Sequence, residues 1–267
     1  MNETFSVDIT DFIATVTIAK RTMDPQFFRD CEELTNTLSH NAAVRVAVLQ
    51  SDQRAFSYGL DLQEAFKEHG QLFMGGGLAA PRTELLQLIR NWQNAINGFA
   101  ALPFPIIAAV HGWCIGGGLD LISACDIRLA TRDATFSLRE ARIGIVADLG
   151  SLQRLPNIIG IGLTRELAYT ADDISAERAL SIGLVNRLFD TKEQLHEGSR
   201  KMARTIASNP PLTVRGIKEV FTQNEDPDLR RGLGFVAAWN SAFLASEDLG
   251  EAISAHMAKR TPVYKGK

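Results

Sequence analysis

The chain has 267 residues, 45% of them hydrophobic and 22% charged, with a formal net charge of -3 and a pI near 6.0. That length and composition suit one extended globular domain, or a domain with a terminal appendage. No Lys/Arg block offers an electrostatic footprint for nucleic acid or an anionic membrane, so the expected partner is a small molecule.

Cysteines 31, 114 and 125 are too scattered for a disulfide framework or a CxxC metal pair, and read as core thiols. The five histidines are equally dispersed, which leaves no metal site. MNETFSVDITDF lacks a basic region followed by an apolar stretch, and FAALPFPIIAAV is too short and proline-broken to span a bilayer. A cytoplasmic location is the expectation.

Alternation in FIATVTIA (12–19) and the β-branched run VRVAVLQ (44–50) predict two strands, with an amphipathic helix over 24–40 between them. The segment LFMGGGLAAPRT (72–83) has a glycine triplet with no strong strand before it and reads as a mobile loop. Leu85, Ile89, Trp92, Ile96 and Phe99 share one helical face over 81–101, and Pro103 and Pro105 end that helix. PIIAAVHG (105–112) has the continuous apolar character of a strand buried on both faces, and IRLATRD and LVNRLFD continue the series. Strands separated by helical stretches imply right-handed crossovers and an α/β fold. Beyond residue 190 the pattern is helical, over 192–207, 212–223, 227–245 and 247–258. Leu229, Leu233, Val236 and Phe243, with Trp239 nearby, offer an apolar face for the chain's own core or for a second subunit. Arg215 and Lys218 read as exposed helical charges.

The decapeptide HGWCIGGGLD (111–120) follows the buried strand. It has neither the GxGxxG spacing of a dinucleotide turn nor a GK[ST] ending. Bare backbone at a helix entry exposes N-H groups without intrahelical partners, and a second glycine turn in AFSYGLDL (55–62) sits at a similar strand end. Two such turns can converge on one carbonyl oxygen as an oxyanion hole. Three acids stand nearby, each with a structural alternative. Asp120 can complement its helix dipole, Glu140 can pair with Arg139 or Arg142, and Asp148 can cap the helix containing SLQRL. His111 reads as a hydrogen-bonded structural residue and Trp113 as core.

The stretch from PFPIIAAVHGWCIGGGLDL through ACDIRLATRDATFSLREARIGIVADLGSLQRLPNIIG resembles the enoyl-CoA hydratase/isomerase, or crotonase, superfamily. AFSYGLDL upstream and ISAERALSIGLVNRLF downstream extend the likeness. The resemblance implies an α/β crotonase-like spiral of ββα units over 1–195, with a helical region over 196–267 that builds trimers or hexamers. It implies an acyl-CoA thioester substrate, with coenzyme A entering as part of it and no separate cofactor. The thioester oxygen would be held by the backbone N-H groups of Leu60 and Gly117. Ser57, Tyr58, Gly59, Leu60 and Asp61 would border the thioester and pantetheine, with Tyr58 lining the acyl tunnel or simply packing.

The triple Asp120, Glu140, Asp148 resembles the Δ3,5-Δ2,4-dienoyl-CoA isomerase branch. It implies proton removal at C2, a dienolate spread along the acyl chain, and reprotonation at C6. In this reading Glu140 serves C2, Asp148 serves C6, and Asp120 polarises the site or tunes its neighbours. The alternatives are a 2-enoyl-CoA hydratase with one glutamate shortened to Asp120, and a non-catalytic acyl-CoA-binding protein of the same fold.

Overall fold

The computed structural model describes residues 3–74 and 79–264, without the side chains of 223–228 and 230. The chain begins with β1 (Phe5–Thr10), β2 (Ile13–Ile18), α1 (Pro25–Ser39), β3 (Val46–Ser51), α2 (Leu62–Met74) and α3 (Ala79–Ala100). It continues through β4 (Ile106–Val110), β5 (Trp113–Ile115), α4 (Gly117–Ser123), β6 (Ile127–Thr131) and β7 (Thr135–Ser137) to a 3-10 turn at Glu140–Ile143. Then follow α5 (Ser151–Ile159), α6 (Ile161–Thr170), β8 (Ile174–Ser175), α7 (Ala176–Ser181), β9 (Arg187–Phe189), α8 (Lys192–Ala207), α9 (Pro211–Phe243) and α10 (Glu247–Met257).

The larger sheet runs β1-β2-β3-β4-β6-β9, parallel apart from the β1-β2 hairpin. A smaller sheet, β5-β7-β8, stands beside it. After β4 the chain enters the small sheet at β5 before its helix, and after β6 it enters at β7. Residue 57, following β3, bridges to Cys114 in the same parallel sense. Each turn of the spiral therefore supplies one long strand, one short strand and a helix.

Strand residues two apart share a face, so a run of apolar residues is buried on both sides only if both faces are covered. Ala47, Leu49, Ile106, Ala108 and Val110 point into the main core with α1 and α3. Val46, Val48, Ile107, Ala109 and Leu129 point the other way, onto Leu195, Ala203 and Ala207 of α8. All three cysteines are buried free thiols. Asp24 caps α1, its side chain accepting the Phe27 N-H at 2.8 Å, and Pro25 occupies the first helical position.

The structure revises four expectations. Residues 72–74 end α2 and 79–83 begin α3, while the glycine triplet and Leu78 of the expected loop lie outside the described residues. The two helices expected over 212–223 and 227–245 are one, α9, despite an interior proline. Its ends are held by packing that outweighs local propensity, through Lys218 on one side and buried Leu233, Val236 and Ala237 on the other. Lys218 is buried, unlike the exposed Arg215: its ammonium donates to Phe104 O at 3.0 Å and Asp126 Oδ2 at 2.9 Å, beneath the start of β4. Trp113 is half-buried rather than core, with the Arg139 guanidinium 4.9 Å from its ring centre.

Candidate active site

The two glycine turns are brought together by the small sheet. Phe56 N-H donates to His111 O at 2.8 Å, Ser57 N-H to Trp113 O at 2.9 Å, and Ile115 N-H to Ser57 O at 3.2 Å. Residues 56–57 thus run alongside β5, and the turns that follow them lie side by side. A second bridge joins Met23 to this segment, through Met23 N-H to Gly59 O at 2.8 Å and Asp61 N-H to Met23 O at 2.9 Å. A parallel bridge of this kind leaves the N-H of the intervening residue, Leu60, directed to the opposite side.

Gly117 is the first residue of α4, where an N-H has no acceptor within its own helix. A Cβ on Gly59 would sit 3.4 Å from Gly117 N and 2.8 Å from Ile115 O, and one on Gly117 would sit 3.9 Å from Leu60 N. The Leu60 and Gly117 amides therefore border one small space that side chains would fill. Gly59 and Gly116 adopt φ of 79° and 53°, values that disfavour other residues.

The three acids stand in segments that adjoin this space, with Leu149 Cδ1, next to Asp148, 3.8 Å from a Cβ placed on Gly117. Asp120, in the first turn of α4, is 1% exposed, and its Oδ1 accepts the Ser151 N-H at 2.6 Å. It thereby occupies the dipole end of α5, whose own cap position is Gly150. Glu140 opens the 3-10 turn, which Gly144 closes at φ 71°. A Cβ on Gly116 would approach Glu140 Oε1 to 3.4 Å, so this carboxyl lies against the glycine turn. Its Oε2 is sealed from solvent and has no hydrogen-bond partner. Asp148 Oδ2 accepts from Asn240 Nδ2 of α9 at 2.7 Å, and its backbone oxygen accepts from Gln93 Nε2 of α3 at 2.7 Å.

Burial raises the proton affinity of all three carboxyls. Asp148 is pushed to about 7, with Asp120's charge adding to desolvation while the Asn240 hydrogen bond opposes it. Glu140 is raised furthest, to about 8, first by desolvation and then by repulsion from Asp120 and Asp148. Asp120 is raised to about 6, its desolvation countered by hydrogen bonds from Ser151. Asp120 is buried and Glu140 and Asp148 are half-buried, and with Asp120's charge acting on both others the three do not all ionise at neutral pH. Such a cluster can both accept and give a proton near pH 7.

The other expected residues fall around this centre. Ser57 Oγ accepts the Gly59 N-H at 3.1 Å and shapes the turn. Tyr58 is 39% exposed, with its N-H on Arg21 O. The Asp61 carboxylate is committed to Thr22 Oγ1 at 2.8 Å and to the Glu64 N-H at 3.1 Å, where it caps α2. Arg139 pairs with Asp173 and Arg142 with Asp172, so Glu140 is not their surface partner. Asp148 does not cap α5, because its carboxyl turns to Asn240 instead. His111 Nε2 meets Gln53 O at 2.8 Å, as a structural histidine does.

Gln93, Asn240 and Ser151 were not singled out from sequence. Gln93 is adjacent to Trp92 on the buried side of α3, and Asn240 lies four residues after the buried Val236 on α9. A polar amide on an apolar helical stripe is the signal that could have found them. Between the end of α2, the start of α3 and the end of α9, a cavity of about 410 Å³ is lined by Leu72, Met74, Leu85, Ser241 and Ala245 among others, and none of the three acids lines it.

The enoyl-CoA hydratase/isomerase family model matches residues 8–267. The peroxisomal Delta(3,5)-Delta(2,4)-dienoyl-CoA isomerase of Arabidopsis thaliana is 41% identical over 238 residues, covering 89% of this chain and 86% of its own. The mitochondrial human protein of the same name is 37% identical over 88% of this chain and 72% of its own. The crystal structure of an enoyl-CoA hydratase from Bacillus anthracis superposes with a TM-score of 0.74 at 30% identity, covering 99% of this chain and all of that one. Relatives named peroxisomal and mitochondrial overturn the expectation of a cytoplasmic location, because the sequence features behind it do not separate cytosol from organelle interior. The chain belongs to the enoyl-CoA hydratase/isomerase family, in its dienoyl-CoA isomerase branch.

Proposed function

We propose that this protein is an acyl-CoA isomerase that converts a 3,5-dienoyl-CoA into a 2,4-dienoyl-CoA. The observation that carries this reading is the third carboxyl. Asp120's charge raises the proton affinity of both Glu140 and Asp148, and Asp148's raises that of Glu140, beside a turn whose amides suit an oxyanion. A site with a single base can remove a proton; returning it four carbons away calls for a second group.

In the mechanism the thioester oxygen accepts from the Leu60 and Gly117 N-H groups. Glu140 removes the C2 proton, and the freed pair flows toward the thioester oxygen as a dienolate. The pair then returns to form C2=C3, the C3=C4 pair moves to C4=C5, and the C5=C6 pair takes a proton from Asp148 at C6. Proton count and charge balance: Glu140 ends protonated and Asp148 ionised, the arrangement that Glu140's higher proton affinity favours, and the next turnover begins once Glu140 has released its proton and Asp148 has regained one from solvent. Asp120, fixed on the Ser151 N-H, supplies negative potential that keeps the pair from ionising together. An oxyanion hole of this type contributes about 10²- to 10³-fold in rate per donor.

Coenzyme A enters with the substrate, so turnover needs no added cofactor or metal and is expected to be insensitive to EDTA. The chain also acts as a trimer or hexamer in this reading, which the solvent-facing aromatic row on α9 supports: Phe235, Trp239 and Phe243 are 69%, 45% and 60% exposed.

The test is a paired assay on purified protein. Turnover of a 3,5-dienoyl-CoA should exceed hydration of crotonyl-CoA, and Asp148→Asn should abolish the first. Faster hydration, or an isomerase indifferent to Asp148→Asn, contradicts the proposal.

A further inference from the structure

Asn240 lies on α9, 92 residues from Asp148 in sequence, and is 2% exposed. Its amide nitrogen donates to two oxygens, Val146 O at 2.8 Å and Asp148 Oδ2 at 2.7 Å. Val146 O is a carbonyl and can only accept. Rotating the amide by 180° would set oxygen against oxygen at both contacts, so the network fixes Asn240 as a donor. Both of its hydrogens are spent on the Asp148 loop.

A carboxyl oxygen that accepts a permanent N-H bond is a poor place for the acid proton. The proton then resides on the other oxygen, Oδ1, and no other side chain among the described residues donates to Asp148. Gln93 secures the same loop from the other helix, with Nε2 on Asp148 O at 2.7 Å and on Leu233 O at 3.1 Å. Thus α3 and α9 hold backbone and carboxyl separately, which fixes the rotamer as well as the position.

We infer that Asn240 is a positioning residue for the isomerisation: it locks Asp148 Oδ2 as an acceptor and leaves Oδ1 as the atom that delivers the proton to C6. The inference rests on the isomerase reading above and goes beyond it by naming the transferring atom and the residue that selects it. Asn240 itself touches no reacting atom. Its loss leaves the Glu140 half of the reaction in place.

The experiment compares Asn240→Leu and Asn240→Ser with the unsubstituted enzyme. Isomerisation of a 3,5-dienoyl-CoA is expected to fall about 10²-fold in kcat for Asn240→Leu, the cost of a misplaced group, with KM changed little. The pH profile should also move upward, because a donor that favours ionised Asp148 is gone. Exchange of C2 hydrogen for deuterium, read by mass on octanoyl-CoA in D2O, should remain within a few-fold of normal. Asn240→Ser keeps a shorter hydroxyl donor and should recover part of the lost kcat with the same split. If Asn240→Leu does not fold, Asn240→Ser carries the test alone, with lowered kcat and intact exchange as the expected result. Isomerisation and C2 exchange that fall in parallel with unmoved pH midpoints would reduce Asn240 to a tie for α9, and unaltered kcat in either variant would also overturn the inference. If the unsubstituted enzyme fails to turn over the dienoyl substrate, it is the isomerase reading that falls.

Discussion

Glu140 ionises only at a cost that the fold must absorb. A carboxyl with a raised folded-state pKa favours folding fully only below its unfolded value of about 4.5, and that contribution fades as pH rises through about 8. Glu140→Gln is therefore expected to raise Tm at pH 8 by about 2–6 °C and to change it little at pH 4, as differential scanning calorimetry can read. The same substitution should cut C2 deuterium exchange about 10³-fold, within the range for losing a general base. Equal Tm shifts at both pH values would show that Glu140 titrates normally. The acids themselves were legible because they stand in recognisable flanks close to the glycine turn. Their hydrogen-bond partners were not, since Asn240 and Gln93 reach Asp148 across 92 and 55 residues of chain. The alternative partners considered for Glu140 failed for a simple reason: Arg139 and Arg142 find Asp173 and Asp172 on the next turn of the spiral.

Among elements, the glycine turns tolerate least. Gly59→Ala would need an alanine at φ 79° with its Cβ 2.8 Å from Ile115 O, so the turn must shift and carry the Leu60 amide with it. Isomerase kcat should drop about 10²-fold, whereas Gly162→Ala, where an added Cβ meets nothing within 4 Å, should leave it unchanged. Lys218→Met tests the anchor of α9. It leaves Asp126 without its cation and should lower stability by about 1–3 kcal/mol in urea melts. The strands of the large sheet were readable where burial on both faces made long apolar runs. The alternating FSVDIT of β1 was overlooked, and two- or three-residue strands such as β5 and β8 carry too short a pattern to see. The helical break expected near 224–226 reflects local breakers that packing overrides in α9.

At the scale of the molecule, α9 presents opposite faces to different surroundings. Leu233, Val236 and Ala237 are buried against the chain's own core, while Phe235, Trp239 and Phe243 form a row of mutually tilted rings facing outward. The segment was expected to serve either the chain's own core or a second subunit, and its inner face takes the first role. For the outer face, Trp239→Glu should shift light-scattering mass toward the protomer if this row joins subunits, and an unchanged mass would remove it from the interface. The central claim, that two separate carboxyls move hydrogen between C2 and C6, has a direct test in isotope placement. The enzyme is run on a 3,5-dienoyl-CoA in D2O, and the 2,4-dienoyl product is examined by NMR. The account predicts deuterium at C6 delivered by Asp148, with Asp148→Asn retaining exchange at C2 but forming no product. Product without solvent deuterium at C6 from a pre-equilibrated enzyme, or product formed equally well by Asp148→Asn, would contradict it.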